Sequence, residues 1–128
     1  MYTIDFDQAS RIMRIGATGF WSLPTLAGFS TTLLARCVAV KLRHGDFATL
    51  VDVSELPVQS KDVALGIEML LGHAMKITTA PLATAVASPL ARLQAERVLR
   101  ADHSRVFGSL DEAQAWLDDV WIRRQIAA

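Results

Sequence analysis

The sequence lacks several features that define common classes of protein. Its single cysteine, Cys37, excludes an internal disulfide and suits a reducing compartment, so we expect a cytoplasmic protein. Thirteen basic residues balance thirteen acidic ones, and a net charge of zero gives no electrostatic footprint for nucleic acid or for an anionic membrane. No apolar run approaches the ~18 residues of a membrane span. The N-terminal segment MYTIDFDQ has no basic region of the kind that begins a signal peptide. We therefore predict no nucleic-acid partner and no stable membrane insertion.

The motifs of familiar catalytic and cofactor sites are also missing. The three histidines, His44, His73 and His103, do not have metal-ligand spacing, and Cys37 is isolated from them. There is no Gly-x-Ser-x-Gly elbow, no dinucleotide fingerprint and no phosphate loop. No pair of carboxylates stands out as an acid–base couple. The sequence thus predicts no catalytic residue, no metal and no cofactor.

What the sequence does contain is an alternation of strand and helix patterns. The chain has 128 residues, 52% of them hydrophobic, which suits one domain, residues 1–128, with a substantial core. Strand patterns occur in YTIDF, RIMRIGATG, FATLVDV, LATAVA and SRVF. Helix patterns begin at the capping serines Ser22, Ser60, Ser88 and Ser109. The order predicts an α/β domain in which an N-terminal antiparallel hairpin joins a mostly parallel sheet, with about five strands and four helices.

The stretch ATLVDVSELPVQSKD holds the main candidate site. Its apolar half reads as a buried central strand that ends at Asp52 and Ser54, and α/β folds bind ligands at the carboxyl ends of their strands. The loop and helix start that follow supply further candidate binding residues, Glu55, Ser60 and Asp62. Ser60 is in the first place the natural cap of the second helix.

Aromatic residues offer a second group of candidates. Phe20, Trp21, Trp116 and Trp121 could line a ligand pocket, or Trp116 could belong to the core while Trp21 covers the edge between a strand and a helix. Trp121 lies off the centre of the buried face of the last helix, so we expect partial exposure and either an interface with another copy or packing of the C-terminal tail.

A local basic surface is predicted on the third helix and just after it. It consists of Arg92, Arg97, Arg100 and Arg105. Glu96 interrupts the run and stands four residues before Arg100, which favours a solvated pair on a helix face over an anion site.

Several segments together resemble a known family. They are the N-terminal hairpin, TGFWS before the first helix, the strand end LVDVS, the strand ATAVAS and the C-terminal RVFGSLDEAQAWL. They resemble the SpoIIAA-like branch of the STAS superfamily, the bacterial anti-sigma-factor antagonists and their STAS/SEC14-like relatives. The resemblance covers nearly the whole chain and implies a small non-enzymatic α/β domain with helices packed on a mixed sheet.

The resemblance also implies a place for regulation. In the antagonists an Asp-x-Ser strand end is followed by Asp-Ser-Ser-Gly at the next helix, and phosphorylation of a serine there breaks partner binding. Asp52 and Ser54 match the first half of this pattern. The second half is absent, because the chain has QSKDVAL where Ser-Ser-Gly would stand. Ser60 occupies the helix start and is the possible phosphosite.

Three functional hypotheses follow. The first is a regulatory protein-interaction module that binds a protein partner or a homodimer mate through the loop after Asp52. The second is a carrier of a lipid or small molecule, whose apolar cavity would involve Met69, Met75 and exposed tryptophans. The third, an enzyme that uses Asp52 with a histidine, lacks a base–nucleophile pair that spacing alone could place.

Overall fold

The computed structural model describes residues 1–98 and 103–127. Its strands are β1 Tyr2–Asp7, β2 Ile12–Ala17, β3 Ala48–Val53, β4 Leu82–Val86 and β5 Ser104–Phe107. Its main helices are α1 Leu23–His44, α2 Lys61–Ala74, α3 Pro89–Val98 and α4 Leu110–Leu117. After α4 the chain continues through a π-helical turn, Asp118–Ile122, into the short α5, Arg123–Ala127. The predicted order of elements is confirmed.

The five strands form one sheet in the order β1-β2-β3-β4-β5. β1 pairs antiparallel with β2, and each later strand pairs parallel with the one before it. The predicted hairpin and mostly parallel sheet are therefore both present. Because β3 lies in the middle of the sheet, its carboxyl end is flanked by the ends of β2 and β4.

Two helical layers cover β3. Thr49 and Val51 face α1 and α2, where the larger apolar cluster includes Phe29, Leu33 and Phe47. Ala48 and Leu50 face the other way, into a second cluster with residues of α4. A strand buried on both faces should read as a continuous apolar run, and the segment ATLV does so. The predicted central strand is thus confirmed.

α1 is long and apolar enough, by length and composition, to cross a membrane. Its mean hydropathy reaches 1.4 over an 18-residue window. In the fold its most apolar stripe is buried against the sheet through Leu26, Phe29, Leu33 and Cys37. Only 28% of that window is buried inside the fold, so α1 is an amphipathic helix with one stripe in the core and much of its remaining surface exposed.

The predicted capping residues are found at the ends of the helices. The side chains of Ser22, Ser60 and Ser109 accept hydrogen bonds from the amides of Thr25, Val63 and Glu112, respectively. Ser88 likewise accepts from the Ala91 amide at 3.1 Å. Gly45 follows α1 with φ of 79°, a value that favours glycine because it has no Cβ.

The expected exposure of Trp121 is wrong. Its side chain is only 6% exposed, and its indole Nε1 donates to the Ser10 carbonyl at 2.9 Å. Trp121 stands four residues after Leu117 and eight after Ala113, both of which are buried, so it lies on the same face of the helical segment as they do. The preceding residue, Val120, is half-buried. The other expectation for Trp121, that it packs the C-terminal segment onto the rest of the domain, is confirmed.

The ion pair on the surface of α3 differs from the one predicted from the sequence. Glu96 forms an ion pair with Arg92, at 3.0 Å, with both side chains about half exposed. Arg100, the partner expected from the sequence, lies outside the described residues. An exposed pair of this kind contributes little to stability.

Asp46 joins three segments at the amino edge of the sheet. Its carboxylate accepts hydrogen bonds from Lys41 at the end of α1 and from Thr78 and Thr79 before β4, while its carbonyl accepts from Arg11. Burial alone would raise the pKa of Asp46, but the bonds from Lys41 and the two threonines outweigh it and lower the pKa below its ordinary value.

Replacing Trp121 tests the role of the C-terminal segment. Trp121→Phe removes the bond to Ser10 and should cost about 1 kcal/mol, whereas Trp121→Ala also empties a buried site and should cost about 3–5 kcal/mol. Urea unfolding followed by circular dichroism measures both. Ile126→Ala is the control, because Ile126 is 81% exposed in the same segment. Equal midpoints for Trp121→Ala and Ile126→Ala would contradict the packing seen here.

Protonation of Asp46 should make the protein less stable in acid. A group whose pKa is lowered by folding stabilises the folded state above its unfolded pKa of ~3.9, and that contribution is lost as the pH falls through the folded pKa. Asp46→Asn should therefore destabilise at pH 7 by about 1 kcal/mol or less, since solvent screens a carboxylate that is a third exposed. Urea titrations at several pH values should show the difference from wild type shrinking below about pH 4. A difference independent of pH would refute this assignment.

Candidate functional site

The candidate site lies at the carboxyl edge of the sheet, where two loops meet. Loop A, residues 18–22, joins β2 to α1, and loop B, residues 54–60, joins β3 to α2. Because β2 and β3 are parallel neighbours, both loops leave the sheet at the same edge. The site residues predicted from the sequence, apart from Trp121, lie in these loops or next to them.

Gln59 ties the two loops together. Its side-chain Oε1 accepts a hydrogen bond from the Trp21 amide at 2.7 Å, and its Nε2 donates to the carbonyls of Gly19 and Pro57 at 3.0 and 2.8 Å. The side chain of one loop thus satisfies backbone groups of the other, which otherwise have no secondary structure to pair them. The loops are therefore held in one relative position.

Trp21 anchors loop A to the hydrophobic core. It is only 4% exposed, packs edge to face on Phe29 and donates its indole Nε1 to the Thr18 carbonyl at 2.9 Å. The expectation that Trp21 covers the edge between strand and helix agrees with this packing. Trp21 has little surface left for a ligand, and its structural role is to fix the loop.

The loops expose apolar side chains. Phe20 is 70% exposed, Leu23 at the start of α1 is 53% exposed, and Val58 is 77% exposed. Phe20 and Val58 are direct neighbours of residues that Gln59 connects, so the two side chains are presented by one fixed structure. We call Phe20, Leu23 and Val58 the apolar rim. Exposed apolar side chains that the backbone holds in place are typical of binding surfaces.

Asp52 shapes the start of loop B. Its Oδ1 accepts from the amide of Ser54 at 3.1 Å and from the Ser54 hydroxyl at 2.5 Å, which closes a local turn. Both residues are half-buried. The predicted Asp-x-Ser strand end therefore has a structural role, and Glu55 follows it as an exposed carboxylate.

Ser60 and Asp62 lie at the start of α2, and both are exposed. The Ser60 hydroxyl accepts from the Val63 amide at 3.4 Å, which confirms the predicted cap. Asp62 stands in the first turn, where a carboxylate interacts favourably with the helix dipole. Their involvement in binding stays a prediction.

A polar groove opens beside loop B, on the face that carries α4. Thr3, Gly16 and Asp52 stand side by side across β1, β2 and β3, and α4 covers the sheet only from β3 onwards. Gly16 has no side chain, so it leaves space at the bottom of the groove. A Cβ at this position would lie only 2.9 Å from Thr3 Oγ1. The groove has a volume of about 280 Å³. It is lined by Met1, Tyr2, Thr3, Gly16, Ala17, Thr18, Asp52 and Glu55.

Within residues 1–98 and 103–127, the space between α1, α2 and the sheet has little room for a carried molecule. An enclosed space between α1, α2 and the sheet has a volume of about 20 Å³, enough for about one water. Cys37 lines it, and burial raises the pKa of that thiol to about 11, so the thiol stays protonated at neutral pH. Of the three tryptophans that could line a pocket, Trp21 and Trp121 are buried in packing, and Trp116 is half-buried against Phe107. Met69 is 68% exposed on α2.

The histidines lie far from Asp52. His44 and His73 are in the last turns of α1 and α2, and His103 stands just before β5, all at the amino edge of the sheet. Asp52 lies four residues beyond the start of β3, about 13 Å from that edge at ~3.3 Å per residue. Within residues 1–98 and 103–127 no group of His, Cys, Asp and Glu side chains is arranged to hold a metal ion. The pairing of Asp52 with a histidine is therefore wrong.

Sequence reasoning missed the two residues that shape the site. Gln59 acts on residues 38 and 40 positions away in the chain, and a single glutamine in a loop gives no pattern that would reveal this. Gly16 was read only as part of a strand. A glycine inside a strand pattern is itself a signal of close approach, and here it marks the groove floor.

Comparison with solved structures identifies the class of fold. The chain is similar to the crystal structure of an uncharacterized protein of the DUF3478 family from Shewanella loihica PV-4, which has a SpoIIAA-like fold. The TM-score is 0.67 at 18% sequence identity, and the match covers 91% of this chain and 92% of that one. This chain thus has a SpoIIAA-like fold, as its sequence segments predicted. None of the protein-family models or curated proteins compared with it matches.

Gln59 variants test the connection between the loops. Gln59→Ala removes all three side-chain bonds and should speed hydrogen exchange of the Trp21 amide by about tenfold, the loss of one net hydrogen bond. Gln59→Glu keeps the acceptor for that amide but loses both donated bonds, so it should protect Trp21 better than alanine does. Exchange measured by NMR compares the three proteins. An unchanged Trp21 amide in Gln59→Ala would show that the loops are held by something else.

Proposed function

We propose that this protein is a non-enzymatic protein-interaction module of the STAS type, which binds a protein partner, or a second copy of itself, at the carboxyl edge of its sheet. The apolar rim of Phe20, Leu23 and Val58 carries the proposal. These side chains are more than half exposed on two loops that Gln59 fixes. A pre-ordered apolar surface loses little conformational entropy when a partner covers it, so burial there converts efficiently into affinity.

The proposal includes a regulatory role and a cytoplasmic location. The support is the SpoIIAA-like fold and the position of the rim next to Ser60. A phosphate on Ser60 would add about −1.5 to −2 charges at a helix start adjoining the rim. It would also replace the hydroxyl that caps α2. Ser60 is exposed, so a kinase could reach it without unfolding the helix.

The carrier hypothesis is the weaker of the two. Its requirement is an apolar cavity, and the enclosed space of about 20 Å³ is far below the ~300–1,000 Å³ of pockets that hold drug-sized ligands. Of the apolar groups that the sequence assigned to such a cavity, Met75 lines this space, whereas Met69 is exposed and Trp21 and Trp121 are buried in packing. The interaction hypothesis uses the exposed groups as they stand.

Charge placed in the apolar rim should abolish partner binding. Tagged wild type, Phe20→Asp and Val58→Asp would be used to capture proteins from a lysate, with quantitative mass spectrometry of what is retained. We expect about a tenfold or greater loss of the same protein with both variants, because a buried charge without a partner is costly at an interface.

Leu93→Asp is the matched control, since Leu93 is 61% exposed on α3 and outside both loops. It should retain the partner. Sedimentation of the same proteins detects a homodimer, which only the rim variants should dissociate. Retention that does not differ among all four proteins, together with a monomer in every case, would sink the proposal.

A further inference from the structure

The side of α1 opposite its buried stripe holds no charged residue, in a helix that the structure describes completely. Exposed residues recur there at steps of three or four along the helix: Ala27, Thr31, Ala35, Val38 and Leu42. A helix at the surface of a domain ordinarily carries charged and polar side chains on this side. Here only 28% of the most apolar window is buried, although its mean hydropathy is 1.4. The fold itself therefore leaves an apolar helix surface uncovered.

The neighbouring helix α2 adds a second line of exposed residues. Asp62, Leu65 and Met69 follow one another at steps of three and four, and Lys76 comes seven residues later, just after the helix ends. Leu65 is 50% exposed and Met69 is 68% exposed. We call the two lines of exposed residues, Ala27 to Leu42 on α1 and Asp62 to Lys76 on α2, the α1–α2 face.

The two lines run side by side in the same direction. Each helix follows one of two parallel neighbouring strands, so both return along the sheet in the same sense. The hydrogen bond from the Trp21 amide to Gln59 holds the two capping residues, Ser22 and Ser60, at the same edge. Thr31 and Met69 each stand nine residues after their cap, so they lie at about the same height in the middle of the face.

We propose that a second copy of this chain covers the α1–α2 face, packing its own face antiparallel about a two-fold axis that passes between Thr31 and Met69. This goes beyond the proposed function, because the face lies outside the apolar rim. On α1 the axis brings Ala27 opposite Ala35 of the second copy. Small side chains at such a contact let two helices approach to about 8 Å.

Charge selects the second copy and its orientation. The same axis brings Asp62 opposite Lys76 of the second copy, and the symmetry makes this contact twice. No ion pair within residues 1–98 and 103–127 involves either side chain, and both are exposed. A parallel arrangement would instead set like charges side by side, at a cost. Lys61 lies about 100° round the helix from this line.

The face is large enough for a dimer. The 22 residues of α1 and the 14 of α2 make helices about 33 and 21 Å long and about 10 Å wide, so each copy offers roughly 500 Å². Two copies would bury about 1,000 Å², the lower limit of a specific interface. A lipid surface fits less well, because most side chains on the α1 line are small and because Asp62 and Glu68 would repel anionic headgroups.

A pair of neighbouring threonines provides the first test. Sedimentation velocity of the wild type over a range of concentrations should show a monomer–dimer equilibrium. Thr31→Arg should weaken it about a hundredfold, because two guanidinium groups then meet at the axis. Thr32→Arg is the matched control, since Thr32 is exposed about 100° round the same helix, and it should dimerise as the wild type does. Arginine favours a helix at least as well as threonine, and circular dichroism verifies folding.

Charge reversal tests the antiparallel register. Asp62→Lys and Lys76→Asp should each weaken the dimer about tenfold, because each change sets two pairs of like charges against each other. The double variant should regain wild-type affinity. An equal mixture of the two single variants should form a heterodimer, because every lysine then faces an aspartate.

The remaining outcomes overturn the inference. They are a wild type that stays monomeric at every concentration, a dimer that Thr31→Arg leaves intact, and equal weakening by Thr31→Arg and Thr32→Arg. If a monomeric wild type is retained by vesicles of phosphatidylcholine and phosphatidylserine, a lipid surface covers the face instead. A dimer that Val58→Asp dissociates and Thr31→Arg does not would place the second copy on the rim, which supports the proposed function and refutes this inference.

Discussion

The structure depends on the burial of β3 on both of its faces. A strand that must be apolar on each side can only lie in the middle of the sheet, with helices packed above and below it. Phe47, at its start, is completely buried between α1 and the sheet, whereas Asp52, near its end, is half-buried. The apolar half of β3 packs against both helical layers. Its polar end reaches the carboxyl edge of the sheet, where polar side chains can meet solvent.

The amino and carboxyl edges of the sheet differ in the contacts that they make. At the amino edge the hydrogen bonds around Asp46 connect the end of α1 with the segment before β4. At the carboxyl edge the hydrogen bonds of Gln59 connect two loops and leave Phe20 and Val58 facing solvent. The amino edge thus carries a hydrogen-bonded carboxylate, and the carboxyl edge carries the apolar rim.

Much of the fold was predictable because its signals are local. Ser22, Ser60 and Ser109 cap helices within three residues of themselves, and Gly45 ends α1 by its own backbone conformation. The alternation and length of the apolar runs placed all five strands. Trp121 was misjudged although the spacing of four residues from Ala113 to Leu117 and from Leu117 to Trp121 already indicates one buried face.

The candidate site was only partly predictable, for a different reason. The sequence by itself determined the order of strands and helices, the caps, and that Asp52 and Ser54 stand where a strand ends. Only the tertiary structure decided that Gln59 joins the loops that expose Phe20 and Val58, and that Gly16 lies between Thr3 and Asp52. Those relations join residues that are distant in the chain, and they exist only once the strands are in register. Local propensity acts over a few residues, whereas a binding surface is assembled from segments that only folding brings together.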